Sequence, residues 1–103
     1  MSTMAVAWVR MGADVRQDGS PDHFIHTIVG RESVTTGGAS VPTTGACPTG
    51  ANCAIVTAVD AALIVTSAAV PVAAPALGVD VEIGGQAYIA ALAGTTKIAG
   101  IER

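Results

Sequence analysis

Few residues of this chain combine a type and a spacing that could do chemistry, and every such group is incomplete. His23 and His26 follow Asp22 in the run DHFIH, an arrangement that suggests a metal. On a strand, residues three apart point to opposite faces, so the two imidazoles would have to converge on an ion across a loop. Asp18-Gly19-Ser20 begins like a calcium loop, but the further oxygen ligands and a closing glutamate are missing. Cys47 and Cys53 bracket Pro48-Thr49-Gly50, and two thiols alone do not build a zinc site. A cysteine nucleophile needs a base and an orienting acid in reach, and nothing local marks either thiol as one. Asp80 and Glu82 share one side of a strand-like run, where a pair of carboxylates is ordinarily solvated surface. No glycine-rich loop opens a helix to cradle a phosphate. The expectation is a protein without catalysis, without a metal and without a cofactor.

Composition narrows the class further. The 103 residues make one domain, expected to bury less than about 70% of its unfolded surface. Ala, Val, Gly and Thr dominate, while Trp8, Phe24 and Tyr88 are the aromatics and Leu63, Leu77 and Leu92 the leucines. Burying alanine yields far less than burying leucine or phenylalanine, so the core is thin and gains from neighbours. Net charge is −3 with five basic residues, which lacks the electrostatic footprint of a nucleic-acid binder. Seven of the thirteen charges fall in the first 33 positions, and Ser33 to Val59 carries none. An uncharged stretch of that kind can lie against other protein without burying an unpaired charge.

Residues 61–79, AALIVTSAAVPVAAPALGV, are also free of charge and long enough for a bilayer. Pro71 and Pro75 argue against a membrane helix, since each removes a backbone donor and clashes with the preceding turn. The flanks are Asp60 and Asp80, with no basic or interfacial aromatic anchor. A short buried strand, Ala62 to Thr66, followed by a proline-punctuated loop is the better reading. Met1 to Arg10 lacks the basic region and leucine-rich core of a signal peptide. Synthesis in a cytoplasm is therefore expected, with Cys47 and Cys53 reduced, although an oxidising compartment would allow a bridged loop.

The elements that must position these residues read as strands throughout. Ala5 to Arg10 alternates, with Val6, Trp8 and Arg10 on one side, and is expected to be an extended arm. Residues 16–23, RQDGSPDH, are a loop; Phe24 to Val29 and Glu32 to Thr36 are the second and third strands. Val41 to Gly50 is a loop. Asn52 to Ala58 and Ala62 to Thr66, hinged at Val59-Asp60-Ala61, resemble a hairpin. Val79 to Ile83 alternates into Gly84-Gly85 and then Gln86 to Leu92, which suggests a second hairpin. Gly94-Thr95-Thr96 turns into a closing strand, Lys97 to Ile101. Seven or eight short antiparallel strands in an all-β sandwich or barrel-like domain follow. The single domain, 1–103, divides into an arm and loop region, 1–31, and a β-sandwich core, 32–103.

From Glu32 onward the cadence ESVTTGGAS, a small-residue loop, NCAIVTAVDAALIVTSAAVP, a long loop, VDVEIGGQAYIAAL and GTTKIAGI resembles small all-β accessory virion proteins of tailed bacteriophages. Their terminal turn, G-x-x-K/R-I-A, is matched by Gly94, Thr95, Thr96, Lys97, Ile98 and Ala99. In those proteins a proline commonly precedes the hairpin turn where Gly84-Gly85 stands here. The resemblance implies a capsid decoration (cement) protein or the base of a head fibre, located on the virion surface. Its partners would be the major capsid protein and copies of itself, with no nucleic acid and no membrane. Val6, Trp8 and Arg10 are the expected capsid contacts, because aromatic and arginine side chains favour interfaces. Trp8 has an alternative role, closing the core of its own domain. Two other classes remain: a glycan-binding module needs an exposed aromatic, Trp8 or Tyr88, and a small hydrolase needs Cys47 or Cys53 beside a histidine.

Overall fold

The computed structural model describes residues 2–11, 14–15, 21–22, 26–74 and 78–103, with backbone alone at 14, 15, 21, 22 and 26. These residues form ten strands: β1 (Ser2–Met11), β2 (Asp14–Val15), β3 (Pro21–Asp22), β4 (His26–Thr36), β5 (Val41–Pro42), β6 (Cys53–Ala58), β7 (Leu63–Ala68), β8 (Val79–Val81), β9 (Gln86–Ala90) and β10 (Lys97–Glu102). Two four-stranded antiparallel sheets, β4-β1-β6-β9 and β5-β10-β7-β8, make a small β-sandwich, and β2 pairs with β3 between β1 and β4 in the chain. Among the described residues there is no helix, and none long and apolar enough to cross a membrane.

The first strand is not an arm. Residues Ser2 to Met11 pair with Thr36 to His26 of β4, and Met4 to Val9 pair with Ala58 to Cys53 of β6. Its alternation serves its own domain: Met4, Val6 and Trp8 face the second sheet, with Trp8 only 3% exposed. An apolar strand face gains more by burial than by waiting for a partner. Val6 and Trp8 are therefore core residues rather than external contacts, and only Arg10 of the expected trio is exposed. Residues 2–11 and 26–31 belong to the sandwich, through β1 and β4.

The core has two layers. Met4, Val6, Trp8, Val34, Ala54, Val56 and Ala58 of the first sheet meet Leu63, Val65, Val81 and Ile98 of the second. Small residues let the sheets approach closely: a Cβ placed on Gly100 would lie 2.7 Å from Met4 Sδ. Gly30 similarly leaves space beside the Trp8 ring and Pro48, which would stand 3.9 and 3.7 Å from an added Cβ. Buried hydroxyls are paired. Ser2 Oγ and Thr36 Oγ1 lie 2.6 Å apart, while Thr43 Oγ1 donates to Gly45 O and accepts from Ile98 N.

The uncharged segment 33–59 supplies a large part of the domain's own core. Thr43 N donates to Ile98 O and Cys47 N to Thr96 O, which ties the loop after β5 to the last strand and drops Cys47 into the core. Ala51, Ala54, Val56 and Ala58 are buried as well, so this stretch lies against its own chain. The strands expected at 24–29 and 32–36 run together from His26 as one strand, β4, carried through a bulge, while Phe24 and Ile25 lie outside the described residues.

Both expected hairpins are instead corners between sheets. β6 pairs with β1 and β9, whereas β7 pairs with β10 and β8. β6 is buried along nearly its whole length and β7 at Leu63, Ile64 and Val65, so both faces of each need cover there, which a position inside its own sheet supplies. The corner is held by β1: Val59 N donates to Thr3 O, and Thr3 N donates to Asp60 Oδ1. Gly84-Gly85 does turn the chain, with Gly84 at φ +76°, but it carries β8 of one sheet into β9 of the other.

Within the apolar stretch 61–79 the described residues are β7, the segment 69–74 that follows it, and Gly78 and Val79; residues 75–77 lie outside the described residues. Pro71 and Ala73 are buried, Ala73 N donates to Ser40 Oγ at 2.9 Å, and Gly78 returns against Ile64 on the outer side of the second sheet. A Cβ on Gly78 would meet Ile64 Cγ2 at 2.6 Å and Val65 O at 2.8 Å, and φ there is +153°.

Two outcomes follow. Trp8→Ala is expected to cost about 3–5 kcal/mol, since it empties the largest core site, and urea unfolding of the variant measures it. Gly78→Ala is expected to destabilise by more than about 1 kcal/mol, because the backbone of Val65 cannot yield as a side chain would; a lowered thermal midpoint checks this.

Candidate functional site

The first sheet has an outer face that is open at its centre. Alternation turns Ala5, Ala7 and Val9 of β1 outward, together with Cys53, Ile55 and Thr57 of β6 and Gln86 and Tyr88 of β9. The alanines of β1 are short, and the residues of the flanking strands are longer. A groove of about 430 Å³ therefore runs along β1, walled by Ile28, Arg31 and Ser33 on one side and Ile55, Thr57 and Gln86 on the other.

A bulge builds one wall. Trp8 pairs with Gly30 and Val9 with Ile28, which leaves Val29 without a partner. The extra residue reverses the faces of β4 at that point. Ile28 and Arg31, three apart and otherwise on opposite sides, therefore both face outward. Arg31 is exposed, and no salt bridge joins it to an acid among the described residues. Its neighbour Glu32 points the other way: its carboxylate accepts from Thr44 N at 2.5 Å and Gly45 N at 3.1 Å, pinning the 43–45 loop. Further along the face, Ile28 is 45% and Tyr88 58% exposed, while Val9, Cys53 and Ile55 form a small buried cluster.

The remaining chemical groups are quiet. Cys47 and Cys53 are free and buried, and their Sγ atoms donate to carbonyl oxygens: Cys47 to Pro48 and Ala51, Cys53 to Ala54. Cys47 lies in the inter-sheet core and Cys53 in the outer-face cluster. Burial raises the pKa of both thiols, with Cys53 adding to the effect at Cys47, which disfavours the nucleophilic thiolate. Asp80 and Glu82 form an acidic edge on and beside β8. Arg103 donates to both Glu82 oxygens at 2.7 and 3.0 Å and approaches Asp80 at 3.9 Å. The hydrogen bond from Arg103, then its charge, holds the Glu82 carboxyl below its ordinary range. One guanidinium serves two carboxylates, so that edge keeps an unbalanced negative charge.

No group of three His, Cys, Asp or Glu capable of holding a metal occurs among the described residues. His23 and Asp18-Gly19-Ser20 lie outside the described residues, and Asp22 and His26 are described as backbone only. Comparison with known protein families, curated proteins and solved structures finds no match.

Sequence reasoning missed Ile28, Arg31 and Tyr88 as one face. The alternate small residues Ala5 and Ala7 were a legible sign of a low strip, but nothing in FIHTIVGRES announces which residue is bulged.

The thiols are expected to react with an aromatic disulfide reagent at least tenfold more slowly in the native protein than in urea at pH 8. Their raised pKa also sets a sign. The unfolded chain releases these protons near the ordinary thiol value of about 8.5 while the folded chain retains them. Stability from this source is complete below that pH and lost as pH rises through the folded thiol values; urea midpoints between pH 7 and 10 test it.

Proposed function

We propose that this protein is a structural virion component, a decoration protein that docks in repeated copies on the lattice of a phage major capsid protein and stabilises the head. The observation that carries the proposal is the contrast between the two outer faces. One is covered by the chain's own Gly78 over Ile64, and the other leaves Ile28, Tyr88 and an alanine-floored groove in solvent. Exposed apolar surface rimmed by polar groups is characteristic of contact surfaces. A thin, small-residue core is further stabilised when such a face is covered by a lattice. The cadence from Glu32 to the C-terminus supports the same reading, and the base of a head fibre would use the same physics.

Tyr88 replaces Trp8 as the aromatic anchor, with Leu92, 71% exposed, beyond the same strand. The exposed ring also favours a second reading, a glycan-binding module in which Tyr88 stacks on a sugar.

Purified capsids incubated with the wild-type protein are expected to retain it through sedimentation and to gain thermal stability. Tyr88→Ala should lower occupancy at least fivefold with an unchanged thermal midpoint of the free protein. Absence of wild-type loading overturns the decoration reading, and binding to a glycan array lost in Tyr88→Ala would favour the second.

A further inference from the structure

The geometry points to a specific occupant of the groove on the first sheet: the edge of the second sheet, residues 79–83, of another copy of this chain. It rests on the reading of the open face as an interface and assigns one part of that face to self-association.

Three complementarities support it. The first is charge. Arg31 stands on the groove wall without an acid among the described residues, while Glu32 is consumed by the backbone of Thr44 and Gly45. The 79–83 edge carries Asp80 and Glu82 against one Arg103, and Asp80, the looser of the two partners at 3.9 Å, keeps a side chain 64% exposed. The second is polarity. The groove floor is Ala5 and Ala7, with Ile28 beside Arg31; the edge likewise offers both characters, Val79 (53% exposed) and Ile83 (64%) on one side of the strand and Asp80 and Glu82 on the other. The third is length. Ala5 to Val9 and Val79 to Ile83 are extended stretches of equal residue count, each spanning about 13 Å at ~3.3 Å per residue.

The two surfaces belong to different places on the molecule. β8 is the terminal strand of the second sheet, whereas the groove lies along β1 of the first, so one copy can use both at once. Contact is heterologous and continues from copy to copy, as a ring if the rotation closes and as an open array if it does not. The contact is small and includes an exposed ion pair, which double-mutant measurements place at roughly 0.2–1 kcal/mol. Association of the free protein is accordingly weak and salt-sensitive.

Sedimentation velocity of the full chain from 10 µM to 1 mM (at 20 mM and 500 mM NaCl) reads the outcome. Wild type should show a concentration-dependent rise in mass that falls in high salt. Arg31→Asp and Asp80→Arg should each remain monomeric, with circular dichroism unchanged. An equimolar mixture of the two variants should associate again, because Asp80 of one meets Arg31 of the other and the reversed pair is equally complementary. Should Asp80→Arg fold poorly, Asp80→Asn is expected to weaken association by about 1.4-fold to fivefold, the range of one exposed ion pair. A wild type that stays monomeric throughout, or association that survives both single reversals, overturns the inference. Self-association without capsid loading overturns the decoration reading alone; loading without self-association overturns this inference alone.

Discussion

Burial of the inward face of β1 holds this domain together. Met4, Val6 and Trp8 enter the space between the sheets from a strand laddered on both sides, to β4 and to β6. The other core residues are mostly alanine and valine, each contributing little on its own. One indole therefore carries an unusual share of the apolar burial, and the surrounding chain is shaped to accept it. Gly30 and Pro48 make room at its ring, Gly100 lets Met4 reach the opposite sheet, and the 43–47 loop closes the end. Hydroxyl groups fill places where a larger core would hold hydrocarbon, and no buried side-chain nitrogen or oxygen among the described residues lacks a partner.

The two outer faces are finished differently. Ile64 would be a solvent-facing isoleucine if the chain between β7 and β8 did not return over it at Gly78. No comparable strap among the described residues closes the groove along β1. A lean domain with one uncovered face has a physical reason to bind protein, since apolar area still in water is stabilisation not yet realised. The thiols are buried with raised pKa values, and the glutamates with resolved bonds are engaged, Glu32 by a loop and Glu82 by Arg103.

The chain alone determined the class of structure and the lack of a membrane helix. Period-two alternation in Ala5 to Arg10 and Val79 to Ile83, with Gly and Pro punctuation, specified strands because side-chain direction depends only on local geometry. The prolines at 71 and 75 excluded a long apolar helix for an equally local reason. What the tertiary structure decided was pairing. NCAIVTA and ALIVT look like hairpin partners in sequence, yet each is apolar on both sides and must be covered twice, which separates them into two sheets. The N-terminal strand looked like an arm because alternation states that one face is apolar but not whose core will bury it. Arg31 and Ile28 share a face only because Val29 is bulged, a register choice settled by fitting Trp8 opposite Gly30. Local periodicity is written in neighbouring residues; register and sheet membership are set by contacts between residues far apart in the chain, and those exist only once the two sheets have closed on each other.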